Sequence, residues 1–92
     1  MQNLIAALNA LAVALTGKPI AENTLDSNVE WLLEGQECYL PDGGYSRVVV
    51  GWEGNAWLTS NSTQAVKDAW ARCATEIANL EQAVREVRGS DF

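Results

Sequence analysis

The stretch Thr63-Gln64-Ala65-Val66-Lys67-Asp68-Ala69-Trp70-Ala71-Arg72-Cys73-Ala74-Thr75-Glu76-Ile77-Ala78-Asn79-Leu80-Glu81-Gln82-Ala83-Val84-Arg85-Glu86-Val87-Arg88 decides the fold. Its apolar side chains at Val66, Trp70, Cys73, Ile77, Leu80, Val84 and Val87 alternate steps of four and three, the seam of a helix packed along its length. Alanines fill most of the gaps and raise helix propensity. Asn61-Ser62-Thr63 offers N-cap oxygens, with Gln64 placed to reach back to Asn61. Arg85 and Arg88 complement the dipole at the far end, and Gly89 can take a left-handed stop. One helix over residues 63–88 is expected, about 39 Å long.

Working back toward the N-terminus, three short strands precede this helix. Residues 37–40 form the first, and Pro41-Asp42-Gly43-Gly44 supplies turn chemistry. Residues 45–52 form the central strand, carried by Val48, Val49 and Val50, and residues 56–60 the third. Glu53-Gly54-Asn55-Ala56 suggests a two-residue hairpin loop. That register sets Trp52 opposite Trp57, with Val48, Val50 and Thr59 on the same face.

Leu4, Leu8, Leu11 and Leu15 again step four, three, four, predicting a helix over residues 2–16 that closes at Gly17 before Pro19. It carries no charge, so cover on more than one side is expected. Ser27-x-x-Glu30 matches a capping box and predicts a short helix over residues 28–34, stopped by Gly35. A strand from Val29 to Leu33 is the competing assignment, since short apolar runs are ambiguous. Together these elements predict one α+β domain over residues 1–92. A three-stranded antiparallel meander packs against a long C-terminal helix and an N-terminal helix.

The formal net charge is −6, and the acids gather in the middle of the chain. Glu22, Asp26, Glu30, Glu34, Glu37, Asp42 and Glu53 face Arg47 as the one cation between Lys18 and Lys67. Such a centre argues against direct nucleic-acid binding and for a basic partner, with solubility as the plainer explanation. Glu22, Asp26, Glu30 and Glu34 recur every fourth residue, but Pro19 and the cap at Ser27 are expected to prevent one continuous helical ladder. The partner-binding residues expected are Asp26, Glu30, Glu34, Glu37, Asp42 and Tyr45.

His is absent and Cys38 and Cys73 lie far apart, so neither a Ser-His triad nor a common zinc site can be assembled. Asp42-Gly43-Gly44 lacks calcium-loop spacing, and Gly43-Gly44 leads into a strand rather than a helix, so it cradles no phosphate. No catalytic residue, metal or cofactor is expected, and no enzyme. Both cysteines fall at apolar-pattern positions and are expected as buried free thiols. Leu4 to Leu15 is too short for a membrane span and lacks a preceding positive charge, so a cytoplasmic location without membrane contact is expected. Asn61-Ser62-Thr63 matches a glycosylation sequon, but in that setting it is a helix cap.

A short acidic chain with no catalytic group, no His and a helix–sheet–helix order resembles the small phage-encoded anti-CRISPR proteins. Among them it is most similar to inhibitors of the type I-F surveillance complex. Met1-Gln2-Asn3-Leu4-Ile5-Ala6-Ala7-Leu8, and Gly44-Tyr45-Ser46-Arg47-Val48-Val49-Val50 followed by Trp52, carry the likeness. It covers the whole chain and lies in size, charge and style; no functional residue is carried across by motif. The resemblance implies a stoichiometric inhibitor in the host bacterial cytoplasm that binds a large protein–RNA complex and blocks target DNA. The clustered acids add the expectation of a surface that acts as a DNA mimic toward a basic groove. The alternative is a structural or regulatory module that dimerises through its uncharged N-terminal helix, so either a monomer or a homodimer is expected.

Overall fold

The computed structural model describes residues 2–41, 47–51 and 53–89. In chain order the elements are α1 (Gln2–Thr16), α2 (Glu22–Leu33), β1 (Glu37–Tyr39), β2 (Arg47–Val50), β3 (Ala56–Leu58), α3 (Gln64–Trp70) and α4 (Ala74–Arg88). The strands form an antiparallel sheet in the order β1-β2-β3. The fold is α+β, as the hydrophobic periodicities predict.

The N-terminal helix has the expected bounds. Leu4, Leu8, Leu11, Ala12 and Leu15 are buried, and α1 packs chiefly along α4 while also touching α3 and α2. Its chain leaves at Gly17, whose N–H donates to the Val13 carbonyl at 2.8 Å.

The expected helix over residues 63–88 is two helices. After Trp70 the backbone tightens, Arg72 N–H donating to Ala69 O at 2.9 Å and Cys73 N–H to Trp70 O at 3.1 Å. Cys73 sits at φ −107°, ψ 35°, and α4 restarts when Ile77 N–H reaches Cys73 O at 2.9 Å. A straight rod of about 39 Å would outrun a body whose longest extent is 36 Å. The bend lets Val66 and Ala69 join Leu80, Ala83 and Val84 in one core. Thr63 is the N-cap, its Oγ1 accepting from Val66 N–H at 3.3 Å. Gln64 does not reach back to Asn61; its amide donates to Asp68 at 2.9 Å.

The short helix expected at residues 28–34 begins six residues earlier, at Glu22, with Ala21 as N-cap and no side-chain cap bond. Ser27 is therefore an exposed interior residue rather than a cap. Leu25, Val29, Leu32 and Leu33 explain the longer span, because together they give a face that buries against the core. The helical assignment of residues 29–33 prevails over the strand. At its end Gly35 takes φ 75°; its N–H donates to Leu32 O and Gln36 N–H to Trp31 O at 2.7 Å. This paired closure needs a left-handed residue, which glycine supplies at no steric cost.

β1 and β3 are shorter than the expected 37–40 and 56–60; of the strand expected over 45–52, β2 covers Arg47–Val50 and Gly51 is outside it, while residues 45, 46 and 52 lie outside the described residues. In register, Glu37 and Trp57 flank Val49, Cys38 and Leu58 flank Val48, and Tyr39 pairs with Arg47. Trp57 thus faces Val49, not Trp52, which lies outside the described residues. The hairpin closes through Gly51 N–H to Asn55 O and Gly54 N–H to Gly51 O, both 2.9 Å, giving a three-residue loop instead of two. The longer loop shifts the pairing by an odd number of residues. It turns Val48 and Val50 to the buried face, away from Trp57.

Candidate functional site

The sheet has one covered face and one open face. Cys38, Val48 and Val50 are fully buried beneath α2 and α4, the helices that meet the strands. The alternate residues Glu37 and Tyr39 on β1, Arg47 and Val49 on β2, and Trp57 on β3 make the other face. Tyr39 and Trp57 are 42% and 45% exposed, and the third large apolar side chain so exposed among the described residues is Val13 on α1. Gly51 matters here because a β-carbon at that position would come within 2.8 Å of the Trp57 ring. Its absence lets the indole lie back over the strand.

Trp31, from the last turns of α2, meets Tyr39 edge-on, with ring centroids 5.9 Å apart and planes at 72°. The Arg47 guanidinium lies 4.8 Å from the Tyr39 ring centroid, and its Nη1 donates to Glu37 Oε2 at 2.9 Å. A shallow depression of about 640 Å³ opens beside this group, lined by Trp31, Gly35, Gln36, Glu37, Tyr39 and Val49.

Because α2 begins at Glu22, the carboxylates of Glu22, Asp26 and Glu30 lie on consecutive turns of one continuous helix, and Glu34 is its C-cap. All four residues are exposed. The break expected at Ser27 does not exist, so the four-residue spacing is a physical ladder with a step of about 6 Å. The sequence of α2 contains no Lys or Arg. Like charges at this spacing cost a helix a few tenths of a kcal/mol each, and Glu34 stands at the negative end of the dipole. The Gln36 side-chain amide donates a hydrogen bond to Glu34 Oε2 at 3.1 Å.

Of the expected partner-binding residues, Asp26, Glu30 and Glu34 therefore share the outer side of α2. Glu37 stands on the open sheet face, engaged by Arg47. Asp42 and Tyr45 lie outside the described residues. Trp31, Tyr39, Arg47 and Trp57 were not among the binding residues expected from the sequence. The period-two alternation of Glu37/Tyr39 and Arg47/Val49 was the available signal, but its face could not be assigned until the hairpin register was known.

Arg88 fixes the end of α2 against the sheet. The residue is 7% exposed. It donates through Nε and Nη2 to Leu33 O at 3.0 and 2.7 Å, through Nη2 to Leu32 O at 3.0 Å, and through Nη1 to Gly51 O at 2.9 Å. The Leu32 and Leu33 carbonyls belong to the last turn of α2, where intrahelical donors run out. The side chain expected to serve its own helix dipole therefore caps another helix.

On each outer edge of the sheet a side chain takes one backbone N–H. Asn28, 3% exposed, accepts Tyr39 N–H through Oδ1 at 3.2 Å, and Glu81 Oε2 accepts Ala56 N–H at 2.6 Å. Cys38 and Cys73 are buried free thiols. Burial pushes the Cys38 thiol up to about 12, and burial chiefly, with the Glu76 charge adding, raises that of Cys73. Among the described residues no group of His, Cys, Asp or Glu is placed to hold a metal ion, and no helix is long and apolar enough to cross a membrane. Comparison of the chain with protein-family models, with curated proteins and with solved structures finds no match.

Proposed function

We propose that this protein is a non-enzymatic inhibitor whose acidic α2 surface occupies a Lys/Arg-lined nucleic-acid groove of a protein–RNA complex. A type I-F CRISPR surveillance complex is the specific candidate, on the strength of the sequence resemblance. The observation that supports this most directly is the ladder of Glu22, Asp26 and Glu30 along one exposed helix, ending at Glu34. Folding gains little from it: Glu22 in the first turn suits the helix dipole, but the like-charge spacing opposes the helix and Glu34 stands at its negative end. Facing a basic groove, the carboxylates would stand where phosphates bind, supplying on-rate and register.

The test is charge reversal in the intact protein. Asp26→Lys/Glu30→Lys/Glu34→Lys should abolish block of target-DNA binding by the purified surveillance complex. Its melting temperature should stay unchanged or rise as self-repulsion falls. Wild-type association should slow with added salt, because exposed charges are screened within about 8–10 Å. Full inhibition by the folded triple variant, at an unchanged association rate, would eliminate the charge-mimic mechanism.

One observation favours a second role, self-association. The outer side of α1 exposes Asn3, Ala6, Ala10, Val13 and Ala14 without a charge, beside a groove against α4 lined in part by Gln82, Ala83 and Glu86. Light scattering across a hundredfold concentration range decides it. A dimer that Val13→Lys dissociates would support α1 as the interface, and a monomer throughout would remove it.

A further inference from the structure

We infer that the open face of the sheet seats an arginine side chain of a basic protein partner, in the depression between the end of α2 and β1. The inference deepens the proposed function by naming what the partner inserts, and it rests on that reading only in taking the partner to be basic.

Three features of this face converge on a guanidinium. The depression is lined by the aromatic Trp31 and Tyr39 and by Glu37, with Gly35, Gln36 and Val49 between them. Glu34 stands beside it, tied to the lining residue Gln36 at 3.1 Å. A planar cation that stacks on a ring while bonding a carboxylate fits this combination better than a compact ammonium does. The protein already displays the same recognition within itself, since Arg47 lies over Tyr39 at 4.8 Å and bonds Glu37 at 2.9 Å. Arg47 does not line the depression, so that space is not filled by it.

The other ways of using a sheet fit this face less well. Strand addition needs free edge groups, and the Tyr39 and Ala56 N–H groups on the two edges are taken by Asn28 and Glu81. A nucleic-acid base could stack on exposed aromatics, but its phosphates would meet Glu30, Glu34 and Glu37 on a chain of net charge −6. Half-buried Trp31 and exposed Tyr39 beside a charged rim have the composition of a binding hot spot.

The probe is a nona-arginine peptide, titrated into the full-length 15N-labelled protein and followed by two-dimensional NMR. Saturable shifts should concentrate on the amides of Gly35, Gln36 and Val49 and on the Trp31 indole N–H. Nona-lysine, of equal charge, should bind at least about threefold more weakly. Tyr39→Ala should weaken the arginine peptide about tenfold. Gln36→Arg, an exposed substitution that places a cation at the mouth and leaves the core untouched, should do the same. Asp68→Lys on α3, an exposed site with the same charge change as a single reversal, should change affinity less than twofold. Shifts confined to residues 22–30, equal affinity for the two peptides, or full affinity in a folded Gln36→Arg variant would each overturn the inference. So would concentration-dependent shifts at these amides without peptide, which would mark a second copy as the occupant. The outcome is separable from that of the inhibition assay. Loss of inhibition by the triple-Lys variant with no peptide response at the sheet keeps the proposed function and removes the arginine site. A mapped arginine site with no effect on the surveillance complex does the reverse.

Discussion

Replacing Arg88 by Ala removes the one side chain that joins the last turn of α2 to the end of β2. Three carbonyls lose a charged donor: Leu32 O, Leu33 O and Gly51 O. At about 1.5 kcal/mol each, the low end for hydrogen bonds to charged groups, the loss is about 4–5 kcal/mol. Leu32 O keeps the Gly35 N–H and Gly51 O keeps the Gly54 N–H, so only Leu33 O loses its bond outright. That discount brings the expected cost to about 3 kcal/mol, against a total stability of roughly 5–14 kcal/mol for a chain this long. The melting temperature should fall by about 12–24 °C. Arg88→Lys should recover less than half, because one ammonium cannot span three carbonyls. Arg85→Ala is the control: its bonds to Glu53 O and Asn55 Oδ1 are exposed and long, at 3.3 and 3.2 Å, and should be worth less than about 1 kcal/mol. Urea unfolding with linear extrapolation measures all three variants, and amide exchange at Gly35 and Gln36 should quicken in Arg88→Ala. A loss below about 1 kcal/mol at an unchanged m-value would show that Arg88 does not hold the end of α2.

Leu80→Ala, at a fully buried site on α4, should cost about 2–5 kcal/mol in urea melts, whereas Ile77→Ala, only partly buried on the same helix, should cost clearly less; equal losses would contradict that difference in burial. Both thiols should resist a disulfide reagent until the chain unfolds, and immediate native-state reaction of Cys38 would contradict its burial. The Cys38 thiol, raised from 9.0 to about 12 in the folded protein, contributes stability that is complete below pH 9 and is lost as pH rises toward 12. Between those values wild type should lose about 1.4 kcal/mol per pH unit more than Cys38→Ala does. Identical alkaline slopes would refute the linkage.

Much of the fold was legible because it rests on local rules. The four-three leucine steps of α1, its exit at Gly17, the stop at Gly35 and a cap oxygen from within Asn61-Ser62-Thr63 all follow from period and side-chain chemistry, although which of the three caps did not. The three strands were recognisable from β-branched content and turn residues. The start of α2 was misplaced because Ser27 and Glu30 satisfy the capping-box pattern, while burial of Leu25 and Val29 carries the helix through it. That same burial is what aligns the acidic ladder. The aromatic face was missed for a different reason: a hairpin loop of three residues instead of two reverses which alternate residues face outward, and no local preference in Glu53-Gly54-Asn55 distinguishes the two.

By itself, the sequence determined the class of fold, the order of elements, the concentration of acid in the centre and the absence of histidine chemistry. These depend on residue type and on spacing within a few turns. Only the tertiary structure decided where residues 63–88 bend, which helix Arg88 caps and which face of the sheet stays open. Each of those outcomes is set by partners distant in the chain. Ala71 to Cys73 contains no breaker, yet a straight helix cannot keep both halves of its seam against α1. Arg88 lies 55 residues from the Leu33 carbonyl it caps. Local propensity is silent over such separations, and there the packing of the whole core chooses.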